Sequence, residues 1–305
     1  MAPVLACRAM SDKLLLVDAF SLIYRAFYAI RSLNGPSGEP VNAIYGFTKM
    51  LRKLLATHSP SHCVVAFDCG APHRRLALLP AYKEQRPPTP PDLETQLPGI
   101  REMLNALRLP IAEINGEEAD DIIATLALRA AQKDFDVLIA SQDKDFFQIV
   151  GPRIRILRPE GADAAMVDAA GVVARFGVKP EQIVDYLSLV GDSVDNIRGV
   201  TGVGPKTATE LLRQYGDLDE LLARAGSLEK PKLRATLLAA GDLLRANRTL
   251  IRLETDLPLS CTLDSLKTQT PDVGLLRELL ARWGFRSLLA ELDDKPASDE
   301  LLLNL

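Results

Sequence analysis

The sequence predicts an α/β fold, a mainly parallel sheet flanked by helices, followed by an all-helical region. Three observations predict it. Three short apolar runs each lead into aspartate, amphipathic helical patterns separate those runs, and from about residue 180 onward the patterns are helical alone. Continuous apolar runs of this length read as strands buried on both faces, the habit of parallel sheets. Their alternation with helices sets the class.

The first run, Leu14-Leu15-Leu16-Val17, ends at Asp18. Helical segments LIYRAFYAI and NAIYGFTKMLRKLL follow, and Ile44, Phe47, Met50, Leu51, Leu54 and Leu55 share one helix face. The second run, Cys63 to Phe67, ends at Asp68. A long connection over 69–116 carries Arg74, Arg75, Lys83 and Arg86, then PPTPP, then Leu93, Leu97, Ile100, Leu104 and Leu107 at helical spacing, with a kink expected at Pro98. Such a basic crossover reads as a flap or arch, about 71–108. GEEADDIIATLALRAA then opens a helix, and the third run, Val137 to Ala140, leads to Asp143 and Asp145. The expected division is a core over 10–179, a helical region over 180–291, and flexible tails at 1–9 and 292–305. No internal repeat is visible.

Composition narrows the class. The chain has 305 residues, 47% hydrophobic and 25% charged, ordinary values for a globular protein that exclude a disordered, collagen-like or disulfide-scaffold chain. No apolar run approaches the roughly 20 residues of a membrane-spanning helix. Cys7, Cys63, Cys69 and Cys261 follow no zinc spacing, so a reducing, cytoplasmic setting is expected. His58, His62 and His73 fit no triad or metal signature. Val4-Leu5-Ala6-Cys7 resembles a lipoprotein cleavage box but lacks the charged and apolar stretches such a signal needs.

The acids carry the chemistry. In open α/β sheets the site lies beyond the carboxyl ends of the strands, where this chain places Asp18, Asp68, Asp143 and Asp145. Glu117, Glu118, Asp120 and Asp121 crowd one helix start; the helix dipole favours acids there, but four in five residues repel one another and invite a cation. Asp192 and Asp195 lie in Gly-Asp-Ser-Val-Asp-Asn, which by itself reads as a turn. Removing these ten acids turns a formal net charge of −4 into +6, so the acidity is concentrated. Oxygen ligands without His or Cys suit Mg²⁺ or Mn²⁺, and two such ions roughly 4 Å apart serve phosphodiester cleavage. A second pattern, Gly202-x-Gly204-Pro205-Lys206-Thr207-Ala208, reads as a helix-hairpin-helix whose amides and helix start grip backbone phosphates without reading bases.

With these motifs the chain resembles the 5′-nuclease family, comprising the 5′→3′ exonuclease domain of bacterial DNA polymerase I, stand-alone relatives and flap endonucleases. LLLVDAFSLIYRAFYA, NAIYGF, VVAFD, YKEQR, GEEADD, SQDKDFFQ and GDSVDNIRGVTGVGPKTA carry the resemblance, which runs from about Lys13 to Leu289. It implies a PIN-like core with a helical arch and a C-terminal helix-three-turn-helix. It implies a first metal site at Asp18, Asp68, Glu118 and Asp120, with Asp121 as the extra acid of the bacterial pattern. It implies a second site at Asp143, Asp145 and Asp192, with Asp195 nearby. Glu117 matches no ligand. Lys83 and Arg86 match arch residues that contact the scissile phosphate, and Arg75 matches a further arch arginine of the catalytic set. Tyr24 and Arg25 flank the first acid in the DNA-binding set, which Gly202, Gly204, Lys206 and Thr207 complete; the hairpin binds K⁺ in relatives.

The implied activity is a two-Mg²⁺ 5′→3′ exonuclease or 5′-flap endonuclease, with Mn²⁺ as substitute, in primer removal and repair. Implied partners are DNA with a 5′ end or flap, an RNA–DNA primer junction and a DNA polymerase, with a monomeric state in the bacterial cytosol. The resemblance fits both a stand-alone enzyme and a polymerase I N-terminal domain. Ala19 stands where many relatives have Gly, Arg74 for Phe, Arg198 for Pro and Pro205 for Glu; Arg74 and Arg198 are read as added phosphate contacts. Three rivals are weaker. A PIN-class RNA nuclease lacks the hairpin, a non-cleaving DNA-structure binder loses ligands that this chain keeps, and a sugar-phosphate phosphatase does not account for the hairpin.

Overall fold

The computed structural model describes residues 12–160 and 163–293. The expected tail at 1–9 and the leucine-rich end at Leu301 to Leu305 lie outside the described residues. In chain order the sheet region holds β1 (Lys13–Asp18), α1 (Ala19–Ala29), α2 (Asn42–His58), β2 (His62–Ala66), α3 (His73–Leu78), α4 (Pro91–Glu94), α5 (Leu97–Ala106), β3 (Ile111–Ala112), α6 (Ala119–Ala131), β4 (Asp136–Ala140), β5 (Ile154–Glu160), β6 (Asp163–Val167) and α7 (Ala169–Phe176). Then come α8 (Ile183–Val190), a two-residue ribbon of β7 (Gly191–Asp192) and β8 (Ile197–Arg198), α9 (Pro205–Tyr215), α10 (Leu218–Ala223), α11 (Pro231–Ala239), α12 (Gly241–Ile251), α13 (Val273–Arg282) and α14 (Arg286–Asp293).

The six-stranded sheet has the order β3-β2-β1-β4-β5-β6, parallel throughout except for β6. The three apolar runs become its centre, with Leu14 to Val17 and Val137 to Ala140 at 0–1% exposure. Register aligns their carboxyl ends, since Asp18 lies opposite Ala66 and Val17 opposite Ala140. The chain leaves β1 toward β2 on one side and returns to β4 on the other, so a crevice opens between them, where an α/β sheet takes its ligand.

Several elements differ from the sequence reading. The second half of the expected arch is a core helix. Ile100, Met103 and Leu104 of α5 are fully buried against α2 and the late helices α13 and α14. Pro98 makes no kink, because it stands at the start of α5, where a missing N–H costs nothing. The region after 180 is not wholly helical, since β7 and β8 form a ribbon around Asp192 to Asp195. The two regions are not separate lobes either. One apolar cluster joins sheet residues such as Leu14 and Ile139 to α8, α9 and α12, and a second joins α1, α2 and α5 to Leu279, Trp283 and Leu288. Leu292, expected in the tail, is buried in that second cluster.

Candidate metal centre

The site assembles at the carboxyl edge of β1, β2 and β4. Asp18 ends β1 and caps α1: one oxygen accepts from the Ser21 amide at 3.1 Å, the other from Ser141 Oγ at 2.7 Å. Asp68 accepts from the Ala119 amide at 2.7 Å, which ties the end of the second run to the first turn of α6. Asp143 accepts from the Asp145 amide at 2.9 Å and donates its own amide to Ser141 Oγ at 3.0 Å. Asp192 takes the Val194 amide at 2.9 Å. Each carboxylate is therefore aimed by backbone, not left to rotate.

Two carboxylate clusters result. Glu118, Asp120 and Asp121 form one; Asp145, Asp192 and Asp195 form the other, and in each the candidate ligand oxygens lie within 4.8 Å of one another. Asp120 Oδ1 and Asp145 Oδ1 are buried with no hydrogen-bond partner. A buried carboxylate oxygen without a hydrogen bond is costly; Asp120 Oδ1 has only the Arg75 guanidinium at 3.9 Å, and one such oxygen in each cluster is what a pair of hard cations would satisfy. The residues therefore fit two divalent metal ions. Burial is the leading cause that holds Asp120 and Asp145 well above the usual carboxylate range, raises Asp68, and pushes Asp18 up to about 7.

Cations from the 79–90 loop sit over these acids. Lys83 Nζ pairs with Glu118 Oε1 and lies 3.9 Å from Asp195. Arg86 reaches Asp195 Oδ1 at 2.7 Å. Lys83 itself has a left-handed backbone, φ 55°, a strained conformation that needs surrounding support. Support comes from its amide bonding to the Asp195 carbonyl at 3.2 Å and from Gln85 donating to the Ser193 and Val194 carbonyls. The ribbon beneath depends on two glycines. Gly191 has φ +84°, and a Cβ there would lie 2.3 Å from Gly199 N; one on Gly199 would lie 2.2 Å from the Val190 carbonyl oxygen.

Above the clusters is a cleft of about 1300 Å³, whose walls include Asp18, Asp68, Glu118, Asp120, Asp143, Asp192, Asp195, Lys83, Arg86, Tyr24 and Arg25. Asp121 and Asp145 stand behind it, 1% and 7% exposed. Arg75 does not face the cleft as its expected catalytic place required. It is 2% exposed and donates to Glu118 at 2.5 Å, to both oxygens of Asp121 at 2.5 and 3.0 Å, and to the Leu250 carbonyl at 3.1 Å. Here it positions carboxylates. Arg74 is likewise committed, to Glu254 at 2.8 Å and to the Thr249 and Arg252 carbonyls. Asp18, Asp68 and Asp143 line the cleft but lie outside both clusters, as does Glu117.

The hairpin stands apart from the cleft. Gly202, with φ +82°, and Gly204 have open space where a Cβ would go, Lys206 is exposed and Thr207 half-buried. Gly204 caps α9, Pro205 occupies its first turn, and Ala208 is fully buried. Three contributors escaped sequence reasoning. Tyr82 donates to Asp195 at 3.0 Å, Ser141 orients Asp18 and Asp143, and Lys144 reaches Asp192 at 2.6 Å. For Lys144 the signal was its place between Asp143 and Asp145.

Two family descriptions match the chain: "5′-3′ exonuclease, N-terminal resolvase-like domain" over residues 13–177 and "5′-3′ exonuclease, C-terminal SAM fold" over 178–274. The chain belongs to the 5′-3′ exonuclease family. It is 39% identical over 280 residues to the 5′-3′ exonuclease of Aquifex aeolicus, covering 92% of this chain and 95% of that protein. It is 40% identical over 293 residues to DNA polymerase I of Bacillus caldotenax and 43% identical over 279 to the thermostable DNA polymerase I of Thermus thermophilus. Those alignments cover 95% and 92% of this chain but 33% of each polymerase, so the chain spans about a third of those relatives' length. Among solved structures, T5 5′-exonuclease with bound divalent metal ions (zinc) superposes with a TM-score of 0.68 at 22% identity, covering 93% of this chain and 100% of that one. The catalytic core of Rad2 with DNA substrate gives 0.62 at 20%, covering 92% and 93%. Both likenesses are of fold. Among the described residues no helix is long and apolar enough to cross a membrane.

Proposed function

We propose that this family member is a Mg²⁺-dependent 5′→3′ exonuclease and 5′-flap endonuclease, with Mn²⁺ as substitute. The observation that carries it is the pair of carboxylate clusters beside the strand ends, each with one buried oxygen that takes no hydrogen bond, under a loop of cations. Asp18, Asp68, Glu118 and Asp120 would hold one ion, and Asp143, Asp145 and Asp192, with Asp195, the other. Bound there, the ions would supply an activated water and charge stabilisation for the leaving oxygen. Asp121 keeps Arg75 in place.

The chain's own residues do the rest. Lys83 and Arg86 offer charge to the scissile phosphate from the cleft rim and orient it over the carboxylates. Tyr24 and Arg25 line the same cleft from α1 and receive the strand. The hairpin at Gly202, Gly204, Lys206 and Thr207 holds duplex phosphates away from the cleft, its backbone groups would hold K⁺, and it so sets register, not sequence. The substrates are DNA with a 5′ end or flap and RNA–DNA primer junctions. We place the activity beside a DNA polymerase in the bacterial cytosol, with the nuclease acting as a monomer.

The test is cleavage of a 5′-end-labelled flap duplex with Mg²⁺ by the parent and by an Asp143→Ala/Asp145→Ala double variant. Cutting near the flap junction by the parent alone is the expected result. Tight binding with no cutting by either protein, in Mg²⁺ or Mn²⁺, would refute the enzyme and leave a structure-binding module.

A further inference from the structure

Helix α1 carries Phe20, Tyr24 and Tyr28 four residues apart, on one face, beginning two residues after Asp18. Their rings form a ladder: Phe20 to Tyr24 centroids are 6.0 Å apart, and Tyr24 to Tyr28 are 6.2 Å apart with planes only 15° from parallel. All three line the acidic cleft. The exposure rises sharply at the end, where Tyr28 is 64% exposed, the most open of the large apolar side chains among the described residues. The ring is nonetheless held, with Tyr24 along one face and Phe27 edge-on at 5.2 Å. A fixed aromatic with its outer face in solvent has no packing reason to be there.

We infer that the outer face of Tyr28 is a stacking platform for an unpaired nucleobase of the DNA strand that enters the acidic cleft. The ligand class rests on the nuclease reading above. Geometry limits where a base can sit. Stacked bases rise about 3.4 Å, so insertion between two rings needs about 7 Å. At 6.2 Å the Tyr24–Tyr28 gap is closed, and a base extends the ladder at its open end. Charge agrees with this: Arg25 lines the cleft beside Tyr28, and Arg31 lines a second cavity of about 380 Å³ that Tyr28 borders on its other side. A ring that shares its two cavities with arginines suits a base with its phosphate attached, and stacking accepts any base.

The experiment measures binding of flap DNA in EDTA, so that affinity is read without cleavage. The parent, Tyr28→Ala and Tyr28→Phe are compared on intact DNA and on a series with one abasic site at each flap and junction position. Tyr28→Ala is expected to weaken binding about tenfold and Tyr28→Phe to restore it. One abasic position is expected to cost the parent the same factor and to cost Tyr28→Ala nothing more. If Tyr28→Ala binds like the parent, or if its loss adds to that of every abasic position, the platform is wrong while the nuclease reading stands. If the parent binds no DNA at all, both fall together.

Discussion

The two carboxylate clusters are built from the same chemistry but are neutralised differently. Around Glu118, Asp120 and Asp121 the main counter-charge is internal, with Lys83 of the rim loop added on Glu118. Arg75 is sealed beneath the acids and also bonded to a carbonyl of α12, while Asp121 takes the Glu254 amide at 2.8 Å. Around Asp145, Asp192 and Asp195 the cations come from the rim, where the Lys144 side chain is 30% and the Arg86 side chain 44% exposed. The first cluster is therefore the more rigidly held of the two. The second is covered by side chains that can swing into solvent at small cost, so its acids exchange partners more readily. The difference separates a cluster anchored from beneath by a buried arginine from one covered by side chains at the rim.

Removing Arg75 should break this contrast most visibly. Arg75→Met leaves Asp121 buried without its counter-ion and Glu118 with Lys83 alone, and a loss of about 3–5 kcal/mol is expected in denaturant unfolding. An unchanged midpoint would mean that the first cluster does not depend on its internal cation. The pH response comes next. Asp18 is pushed up to about 7 from 3.8, chiefly by burial, so the folded, metal-free protein prefers it protonated. Its contribution to stability is full below pH 3.8 and is lost as the pH rises through about 7. Thermal melts in EDTA should show that decline, Asp18→Asn should flatten it, and Mg²⁺ should stabilise more as the pH rises, because it binds the ionised form. The smallest effect sharpens the account of the second cluster. Lys144→Met removes a rim cation and should tighten Mg²⁺ binding about fivefold by calorimetry, on the order of 1 kcal/mol for a partly exposed pair. Weaker binding would show that Lys144 organises Asp192 instead of competing for it.

Much of this was legible in the residues. Apolar runs ending in aspartate marked the three central strands because both faces of those strands are covered. β3 is two residues long, β5 is interrupted by Arg155 and Arg158, and β6 is an antiparallel edge rich in alanine, so none gave an apolar run. The periodicity of Leu97, Ile100 and Leu104 was visible, but its partners lie in α13 and α14, far along the chain, and nothing local distinguishes an arch helix from a core helix. The acids of the site were legible because carboxylates crowd only where something compensates them. The buried place of Arg75 was not, because a basic residue in a basic loop looks the same whether it faces a phosphate or a carboxylate. Tyr82 was hidden for a similar reason, as its hydroxyl finds Asp195 through a loop whose path depends on the ribbon 110 residues later.

The bond from Arg75 to the Leu250 carbonyl, with the Glu254 amide on Asp121, has a bearing on modularity. The junction between residues 177 and 178, where the two family descriptions meet, looks like a natural crossover for recombination. The hydrogen bonding of Arg75 and Asp121, in the first half, is nevertheless completed by main chain from the second. A chimaera joined there would take Glu118, Asp121 and Arg75 from one parent, and Asp192, Asp195 and the main-chain groups that bond Arg75 and Asp121 from the other. The two halves thus meet as a matched pair at this seam.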